Sequence, residues 1–279
     1  MPYPLFEGQL KFKTQYSDGQ HGKIDSELKA FAQYLKQHEN GLLNEILDVD
    51  SFDFDIGQGL YFHSSIPQGY GVGSSGALVA AVFDNYLHKK NSKDYGDIDY
   101  LKSVFAKMEC HFHGASSGID PLISFLEAPI KIIKGKNTEV VSLAQANRDV
   151  NLFLANTGRP RRTEPLVNLF LEKLKSQRFS QDFENILVPS TNKCIDSFLN
   201  GKNQFLVDEF KMVSKFQYEN MQEMIPKLFQ PIWKKGLDTD DFYLKLCGAG
   251  GGGFILGISN DPDKTKIHFG HLEYRSVKI

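Results

Sequence analysis

The chain has 279 residues, 41% of them apolar, and its 32 Lys and Arg residues nearly balance 34 Asp and Glu residues. This length and apolar content are sufficient for one large or two medium domains. The net charge of −2 argues against nucleic-acid and anionic-membrane partners, since such binders need a basic surplus. The spacing of Cys110, Cys194 and Cys247 predicts neither a disulfide framework nor a structural zinc site. Because no transmembrane or signal-peptide pattern is visible, a cytoplasmic location is expected.

The first half of the chain mixes predicted helices and strands. Apolar residues recur at helical spacing from Ile24 to Leu35, which predicts a helix. From Ser51 to Ile56, apolar and acidic residues alternate, which predicts a half-buried strand. The further predicted elements are a strand at Leu60–Ser64, helices at Ala77–Leu87 and Asp97–His111, and strands at Ile130–Lys134 and Glu139–Leu143.

After Arg148 the pattern changes. A strand is predicted at Asn151–Ala155, and a long block of helical periodicity runs from Thr163 to about Lys235. Strands return at Phe242–Leu246, Gly253–Ile258 and Leu272–Val277. This order predicts an α+β fold with domains of residues 1–148 and 149–279, rather than a regular βαβ alternation.

A glycine-rich loop joins the strand at Leu60–Ser64 to the next helix. It reads Pro67-Gln-Gly69-Tyr-Gly71-Val72-Gly73-Ser74-Ser75-Gly76-Ala77. Alternating glycines allow close backbone approach to a ligand, and the N–H groups with the positive end of the helix suit phosphate oxygens. The serine hydroxyls can bind a phosphate oxygen or complete a magnesium shell.

Several interpretations of this loop compete. A Walker loop is excluded because residues 66–86 contain no lysine. The dinucleotide fingerprint GxGxxG is matched by Gly71–Gly76, but Pro67–Tyr70 separate it from the preceding strand. A kinase loop that uses serines and the helix N-terminus, and a glycine-rich turn without a ligand, are the remaining interpretations.

The loop resembles the second motif of the GHMP kinases, the superfamily of galactokinase, homoserine kinase, mevalonate kinase and phosphomevalonate kinase. Downstream, the segment Glu109-Cys-His-Phe-His113-Gly114-Ala-Ser-Ser117-Gly118-Ile-Asp120 places two carboxylates around a glycine- and serine-rich turn. Such carboxylates can hold Mg²⁺ and accept a proton from an alcohol, although alone they would more often be surface and N-cap residues. His111 and His113 lack a third ligand nearby, so packing or hydrogen bonding is expected of them.

This second segment resembles the Phe-His-Gly-x-x-Ser-Gly-(Val/Ile)-Asp run of mevalonate kinases. The resemblance implies that Asp120 is the catalytic base and that Glu109 and Ser75 bind Mg²⁺. It also implies that Ser64, in its Ser-x-x-Pro-x-Gly context, contacts the nucleotide.

A second glycine run lies near the C-terminus, at Gly248-Ala249-Gly250-Gly251-Gly252-Gly253. Five glycines in six positions indicate close backbone approach to a ligand or to another loop. The run resembles the third GHMP motif, which lies against the nucleotide phosphates and the substrate pocket. Asn156–Thr163 resembles a Thr-x-x-Pro-Arg-x-Thr run of mevalonate kinases, so Arg161 and Thr163 are candidate nucleotide contacts, with a solvated loop as the alternative.

The resemblance covers residues from about 60 to 258 and implies a two-lobed fold. Its N-terminal lobe would resemble domain 2 of ribosomal protein S5, its C-terminal lobe would be ferredoxin-like, and ATP would lie between them. The implied nucleotide contacts are Ser64, Gly69, Gly71, Val72, Gly73, Ser74, Ser75, Arg161, Thr163 and Gly248–Gly252. The implied substrate contacts are His113, Gly114, Ser117 and Gly250.

The first GHMP motif, with a lysine followed by Gly-Glu-(His/Tyr), has no counterpart in this sequence. In the family this motif lies on a strand and helps to build the substrate pocket. Without that strand the N-terminal sheet would have an edge prone to association, so a homodimer is a further expectation. The leading hypothesis is phosphorylation of the primary alcohol of mevalonate with ATP and Mg²⁺. The alternatives are another small alcohol or phosphomonoester, a nucleotide-binding regulator without catalysis, and an NAD-dependent oxidoreductase.

Overall fold

The computed structural model describes residues 7–12, 21–37, 42–88, 97–133, 138–142, 150–160 and 163–277. The chain divides into two compact units. The N-terminal unit contains Phe6–Pro67 and Gly73–Val141, and the C-terminal unit contains Gln68–Val72 and Ser142–Ile279. The domain boundary predicted between residues 148 and 149 falls outside the described residues and stays a prediction.

The N-terminal unit combines two small antiparallel sheets with six described helices. The strands pair β1 with β2 and β3 with β4. Their bounds are β1 Gly8–Phe12, β2 Leu60–Ser64, β3 Ile130–Ile132 and β4 Thr138–Val140. The helices are α1 His21–Gln37, α2 Leu42–Ile46, α3 Val49–Gly57, α4 Ser74–Tyr86, α5 Ile98–His113 and α6 Ile119–Leu126.

The core of this unit confirms the helix predicted around Ile24–Leu35. Leu28, Phe31 and Leu35 are buried on one face of α1, as the spacing predicted. They pack in one cluster with Phe83 of α4 and Phe105 of α5. The aromatic rings of Phe83 and Phe105 meet edge to face with centroids 4.8 Å apart. This cluster joins the two helices that carry the candidate site.

The strand predicted at Ser51–Ile56 is wrong, because these residues lie in helix α3. Asp48 begins the helix by accepting a hydrogen bond from the N–H of Ser51 at 3.0 Å. Phe52 and Ile56 are buried together, whereas Phe54 is 66% exposed. The buried period is therefore that of a helix, and the alternation with aspartates in this short window was a coincidence of spacing.

The C-terminal unit has the β-α-β-β-α-β order of a ferredoxin-like fold. Its antiparallel sheet has the strand order β6-β7-β5-β8, with β5 and β7 in the middle. The strands are β5 Asn151–Asn156, β6 Phe242–Leu246, β7 Phe254–Ser259 and β8 Tyr274–Val277. The α-helices are α7 Thr163–Leu174, α8 Gln177–Asp182, α9 Val188–Leu199, α10 Asn203–Asn220, α11 Gln230–Thr239 and α12 Pro262–Phe269. The predicted α+β class and the long helical block are thereby confirmed.

Helix α10 supplies hydrogen-bond partners to the edge strand β6. The Oγ of Ser214 accepts from the N–H of Leu244 at 3.2 Å, and the Oε1 of Gln217 accepts from the N–H of Leu246 at 2.8 Å. Trp233 of α11 donates its Nε1–H to the same Ser214 hydroxyl at 2.9 Å. All these groups are buried, so the bonds satisfy donors that water does not reach.

Predicted and observed elements differ mainly at their ends. Helix α4 begins at Ser74 instead of Ala77, and α5 continues to His113 instead of ending at His111. Strand β1 and helices α2, α6 and α12 had no predicted counterpart. Among the described helices, none combines the length and the apolar character that a membrane span requires.

Candidate active site

The end of the glycine-rich loop forms the start of helix α4. Gly73 is the N-cap residue with φ 78°, a left-handed conformation that glycine adopts without strain, and it makes no side-chain cap. Its carbonyl oxygen accepts the first helical bond, from the N–H of Ala77 at 2.8 Å. The loop residues Gln68–Val72 group with the C-terminal unit, whereas Gly73 and α4 group with the N-terminal unit.

Ser75, in the first turn of α4, is hydrogen-bonded to Glu109 of α5. The Ser75 Oγ donates to Glu109 Oε1 at 3.0 Å and lies 2.9 Å from His113 Nε2. Glu109 is only 4% exposed, so it is not the surface residue that the sequence pattern alone would favour. The two predicted magnesium ligands are therefore adjacent, and His113 has the predicted hydrogen-bonding role.

Ser116 was not singled out from the sequence, yet it contacts Glu109. Its Oγ donates to Glu109 Oε2 at 2.5 Å and accepts from the N–H of Gly118 at 3.0 Å. The two oxygens of Glu109 thus face two different serines. Only the serine-rich character of residues 115–117 hinted at such a contact, because spacing does not reveal which hydroxyl reaches a carboxylate.

Asp120 lies in the first turn of α6, directly beside the first turn of α4. Gly118 is the N-cap of α6 with φ 72°, and its Cα packs against the backbone of α5 at Lys102. A Cβ added at Gly76 would lie 2.7 Å from the carbonyl carbon of Asp120, so the two helix starts touch through backbone atoms. The Asp120 side chain is exposed and borders Gly73, in a position where the helix dipole favours negative charge.

The pairing of β2 excludes one interpretation of the glycine-rich loop. A dinucleotide fingerprint requires a parallel βαβ unit, but in the described part of the chain β2 belongs to a two-stranded sheet in which it pairs antiparallel with β1. The dinucleotide interpretation is therefore wrong for this loop. The arrangement instead brings a hydroxyl and a buried carboxylate together at one helix N-terminus, with an exposed carboxylate beside them.

The second glycine run, in the C-terminal unit, lets several backbone segments approach closely. The N–H of Gly251 donates to Met224 O at 2.7 Å, and the N–H of Gly253 donates to Arg159 O at 2.8 Å. A Cβ at Gly252 would lie 2.9 Å from the carbonyl oxygens of Arg159 and Pro160. The predicted close approach to another loop is confirmed for these glycines.

Within the same unit, the first part of the glycine-rich loop also meets the second run. Gly253 packs against the backbone of Tyr70, and the rings of Tyr70 and Phe254 lie 5.7 Å apart. Gly69 contacts the side chain of Pro160. The first glycine loop is thus held by the segment that follows β5 and by the segment that precedes β7.

The other residues predicted to contact nucleotide or substrate differ in their hydrogen bonds and in their exposure. The Ser64 Oγ accepts from the N–H of Ile66 at 3.0 Å and donates to the carbonyl of Glu7 at 3.2 Å. Gly114 ends α5, and Ser117 is exposed. Gly248 is exposed, Ala249 and Gly251 are half-buried, and Gly250 and Gly252 are buried. Arg161 and the side chain of Thr163 lie outside the described residues.

His111 packs among aromatic side chains of the N-terminal unit. Its ring packs against Phe31 and Tyr34 with centroid distances of 5.3 and 5.0 Å. Burial lowers the pKa of His111 because the charged imidazolium would lose water. The predicted packing role is confirmed.

The side-chain oxygens of Ser75 and Glu109 fit Mg²⁺ as ligands. Mg²⁺ prefers hard oxygen ligands and is usually held by one or two protein groups together with nucleotide phosphates. Glu109 and Ser75 offer a carboxylate and a hydroxyl oxygen within 3.0 Å of each other. In the described part of the chain, no group of three or more His, Cys, Asp or Glu residues could hold a metal by itself. Two oxygens of this kind are what Mg²⁺ typically takes from a protein when nucleotide phosphates supply further ligands.

Comparison with known sequences found one matching family model and two curated relatives. Residues 28–127 match the GHMP kinases N terminal domain. The bifunctional fucokinase/GDP-fucose pyrophosphorylase of Arabidopsis thaliana is 24% identical over 78% of this chain and 21% of its own length. Mevalonate kinase of Arabidopsis thaliana is 27% identical over 70% of this chain and 55% of its own length. The chain thus spans about a fifth and about half of these curated relatives.

Solved structures give the same fold. L. major mevalonate kinase in complex with R-mevalonate superposes with a TM-score of 0.64 at 17% identity, covering 98% of this chain and 86% of that chain. Lactococcus lactis galactokinase complexed with galactose has a TM-score of 0.58 at 14% identity, covering 95% and 76%. At these identities the similarity establishes the fold alone.

Proposed function

We propose that the protein is an ATP-dependent small-molecule kinase, because residues 28–127 match the GHMP kinases N terminal domain and the chain shares the fold of a solved mevalonate kinase. The observation that carries this proposal is the first turn of α4. There Ser75 bonds to the buried Glu109, and the next residue, Gly76, contacts the backbone of Asp120. Phosphoryl transfer to an alcohol needs a metal-binding carboxylate and a proton acceptor close to the phosphates.

In the proposed reaction, Asp120 accepts the proton of the acceptor hydroxyl. The hydroxyl oxygen forms a bond to the γ-phosphorus, the bond from that phosphorus to the β–γ bridging oxygen breaks, and ADP leaves. Backbone N–H groups at the start of α4 would hold phosphate oxygens, because helix N-termini attract anions. Glu109 and Ser75 would hold Mg²⁺, which when bound neutralises charge on the phosphates.

As the acceptor we propose the primary alcohol of mevalonate. The turn from His113 to Asp120 matches the run of mevalonate kinases, and a mevalonate kinase is among the sequence relatives. The other predicted contacts with nucleotide and substrate, including Gly248–Gly252, remain part of this proposal.

A second candidate acceptor is a sugar hydroxyl. It is favoured by the relative that carries a fucokinase activity in its name, whose alignment covers 78% of this chain. A panel of mevalonate, phosphomevalonate, fucose, galactose and homoserine, assayed by coupled ADP release with Mg–ATP, separates these acceptors. ATP binding without turnover on any of them would favour a nucleotide-binding regulator instead.

The assignment of the base is tested with Asp120→Asn. We expect ADP release to fall to background while ATP affinity, measured by calorimetry, is retained, because the amide cannot accept the proton but keeps the shape of the side chain. Asp97→Asn is the matched control, since Asp97 caps α5 in the same unit and asparagine caps equally well. Full activity of Asp120→Asn would refute the assignment.

A further inference from the structure

We propose that Ser116, in the turn between α5 and α6, is a positioning residue that sets the orientation of the Glu109 carboxylate for metal binding. The inference rests on the proposed function. Ser116 would touch neither substrate nor nucleotide in this role and would act entirely through Glu109.

The hydrogen bonds around Ser116 have a fixed direction. The N–H of Gly118 can only donate, so the Ser116 Oγ must accept from it at 3.0 Å. The hydroxyl proton of Ser116 is then directed to Glu109 Oε2, at 2.5 Å. A hydroxyl bound to a charged acceptor makes one of the stronger hydrogen bonds in proteins. Ser116 therefore holds one particular oxygen of the carboxylate.

This contact leaves the other oxygen for the metal. Oε1 of Glu109 faces the Ser75 hydroxyl at 3.0 Å, and Ser75 is the second proposed magnesium ligand. Because Glu109 is buried, water cannot easily replace a lost partner of Oε2. Without Ser116, we expect the carboxylate to rotate toward other donors and Oε1 to lose its orientation beside Ser75.

The backbone around Ser116 explains why the hydroxyl stays in place. Gly118 packs directly on the α5 backbone at Lys102, and it also caps α6, whose first turn carries Asp120. Gly118 thus fixes the C-terminal end of the turn on two elements of the site. A chain of hydrogen bonds runs from the Gly118 N–H through Ser116 to Glu109, and each bond in such a chain strengthens the next.

The test is the magnesium dependence of Ser116→Ala. Residues that orient metal ligands typically change metal affinity by ~10–100-fold, so we expect the Mg²⁺ concentration for half-maximal turnover to rise by about that factor. Binding of Mn²⁺ to the protein–ATP complex, measured by electron paramagnetic resonance, should weaken by a similar factor. The affinity for ATP in the absence of metal should stay unchanged, because Ser116 is proposed to act only through Glu109 and to touch no part of the nucleotide.

Three further variants separate orientation from stability. Ser103→Ala is the matched control, since Ser103 lies on α5 and its hydroxyl bonds to the Tyr100 carbonyl of the same helix. Ser116→Thr keeps the hydroxyl and should restore the metal dependence. Adding Ser116→Ala to Glu109→Gln should cause no further change in Mn²⁺ binding, because the two residues act in series.

The outcomes distinguish this inference from the proposed function. Absence of both ATP binding and turnover in the unmodified protein overturns the proposed function itself. An active protein whose Ser116→Ala variant keeps the same Mg²⁺ and Mn²⁺ dependence overturns the positioning role. A variant that unfolds more easily and loses activity equally at every Mg²⁺ concentration also overturns it, since that result indicates a structural role only.

Discussion

Replacing Gly76 with alanine should push α6 away from α4 and move Asp120. The new Cβ would lie 2.7 Å from both the carbonyl carbon of Asp120 and the nitrogen of Pro121. These are backbone atoms, so no side-chain rotation can relieve the overlap. Gly76 lies inside α4 and has no left-handed φ, so the clash is the only obstacle to alanine.

The size of the effect follows from this distance. Ordinary carbon contacts are at least ~3.5 Å, so the two helix starts must separate by about 0.8 Å. Overpacking of this kind costs ~1–3 kcal/mol of stability. A displacement of about 1 Å at a reacting group can cost ~100-fold in rate, so we expect turnover to fall by about 10–100-fold.

The assay combines coupled ADP release, calorimetric ATP binding and thermal unfolding. Gly57→Ala is the matched control, because a Cβ at this last residue of α3 would meet no atom within 4 Å. It should leave turnover unchanged and stabilise the protein by up to ~1 kcal/mol through helix propensity. Wild-type turnover and stability in Gly76→Ala would refute the close contact of α4 with α6. A loss of ATP affinity as large as the loss of turnover would show that the loop, and not Asp120, had moved.

Two predictions concern the C-terminal unit, and Trp233, the one tryptophan of the chain, reports on both by fluorescence. Ser214→Ala leaves the buried Leu244 N–H without its acceptor, so we expect a loss of about 2 kcal/mol in urea unfolding, against almost none for Ser197→Ala. The hydrogen bond from His268 lowers the pKa of Asp241, so the folded state gains stability above the unfolded pKa and loses it as the pH falls. The urea midpoint should therefore drop between about pH 5 and 3, and Asp241→Asn should flatten that drop; equal slopes would contradict this.

The elements that the sequence predicted are those in which the hydrophobic repeat extends over many residues or in which glycines mark the boundaries. The prediction failed at α3, where apolar and acidic residues alternate over six positions and the N-cap, Asp48, lies before this window. It also missed α6, an eight-residue helix that begins at Ile119 and whose N-cap, Gly118, has no side chain that could mark the start. Short elements of this kind depend on tertiary contacts more than on their own pattern.

The candidate site was predictable as a set of residue types and less so as a geometry. Motif resemblance selected Ser75, Glu109 and Asp120, and Ser75 and Glu109 are in contact in the structure. The burial of Glu109 and its bond to Ser116 could not be predicted, because both depend on how α5 and the following turn pack. A motif records which groups are present, whereas hydrogen-bond direction and burial arise only in the folded unit.

The hydrogen bonds that α10 makes to β6 have a consequence for association. An edge strand normally offers free N–H groups to any extended chain, which invites an added strand from another molecule. Here the outward N–H groups of Leu244 and Leu246 are already bound by Ser214 and Gln217. A peptide that added to the sheet on this side would first have to break both bonds. The contacts with α10 therefore disfavour edge-to-edge polymerisation through β6.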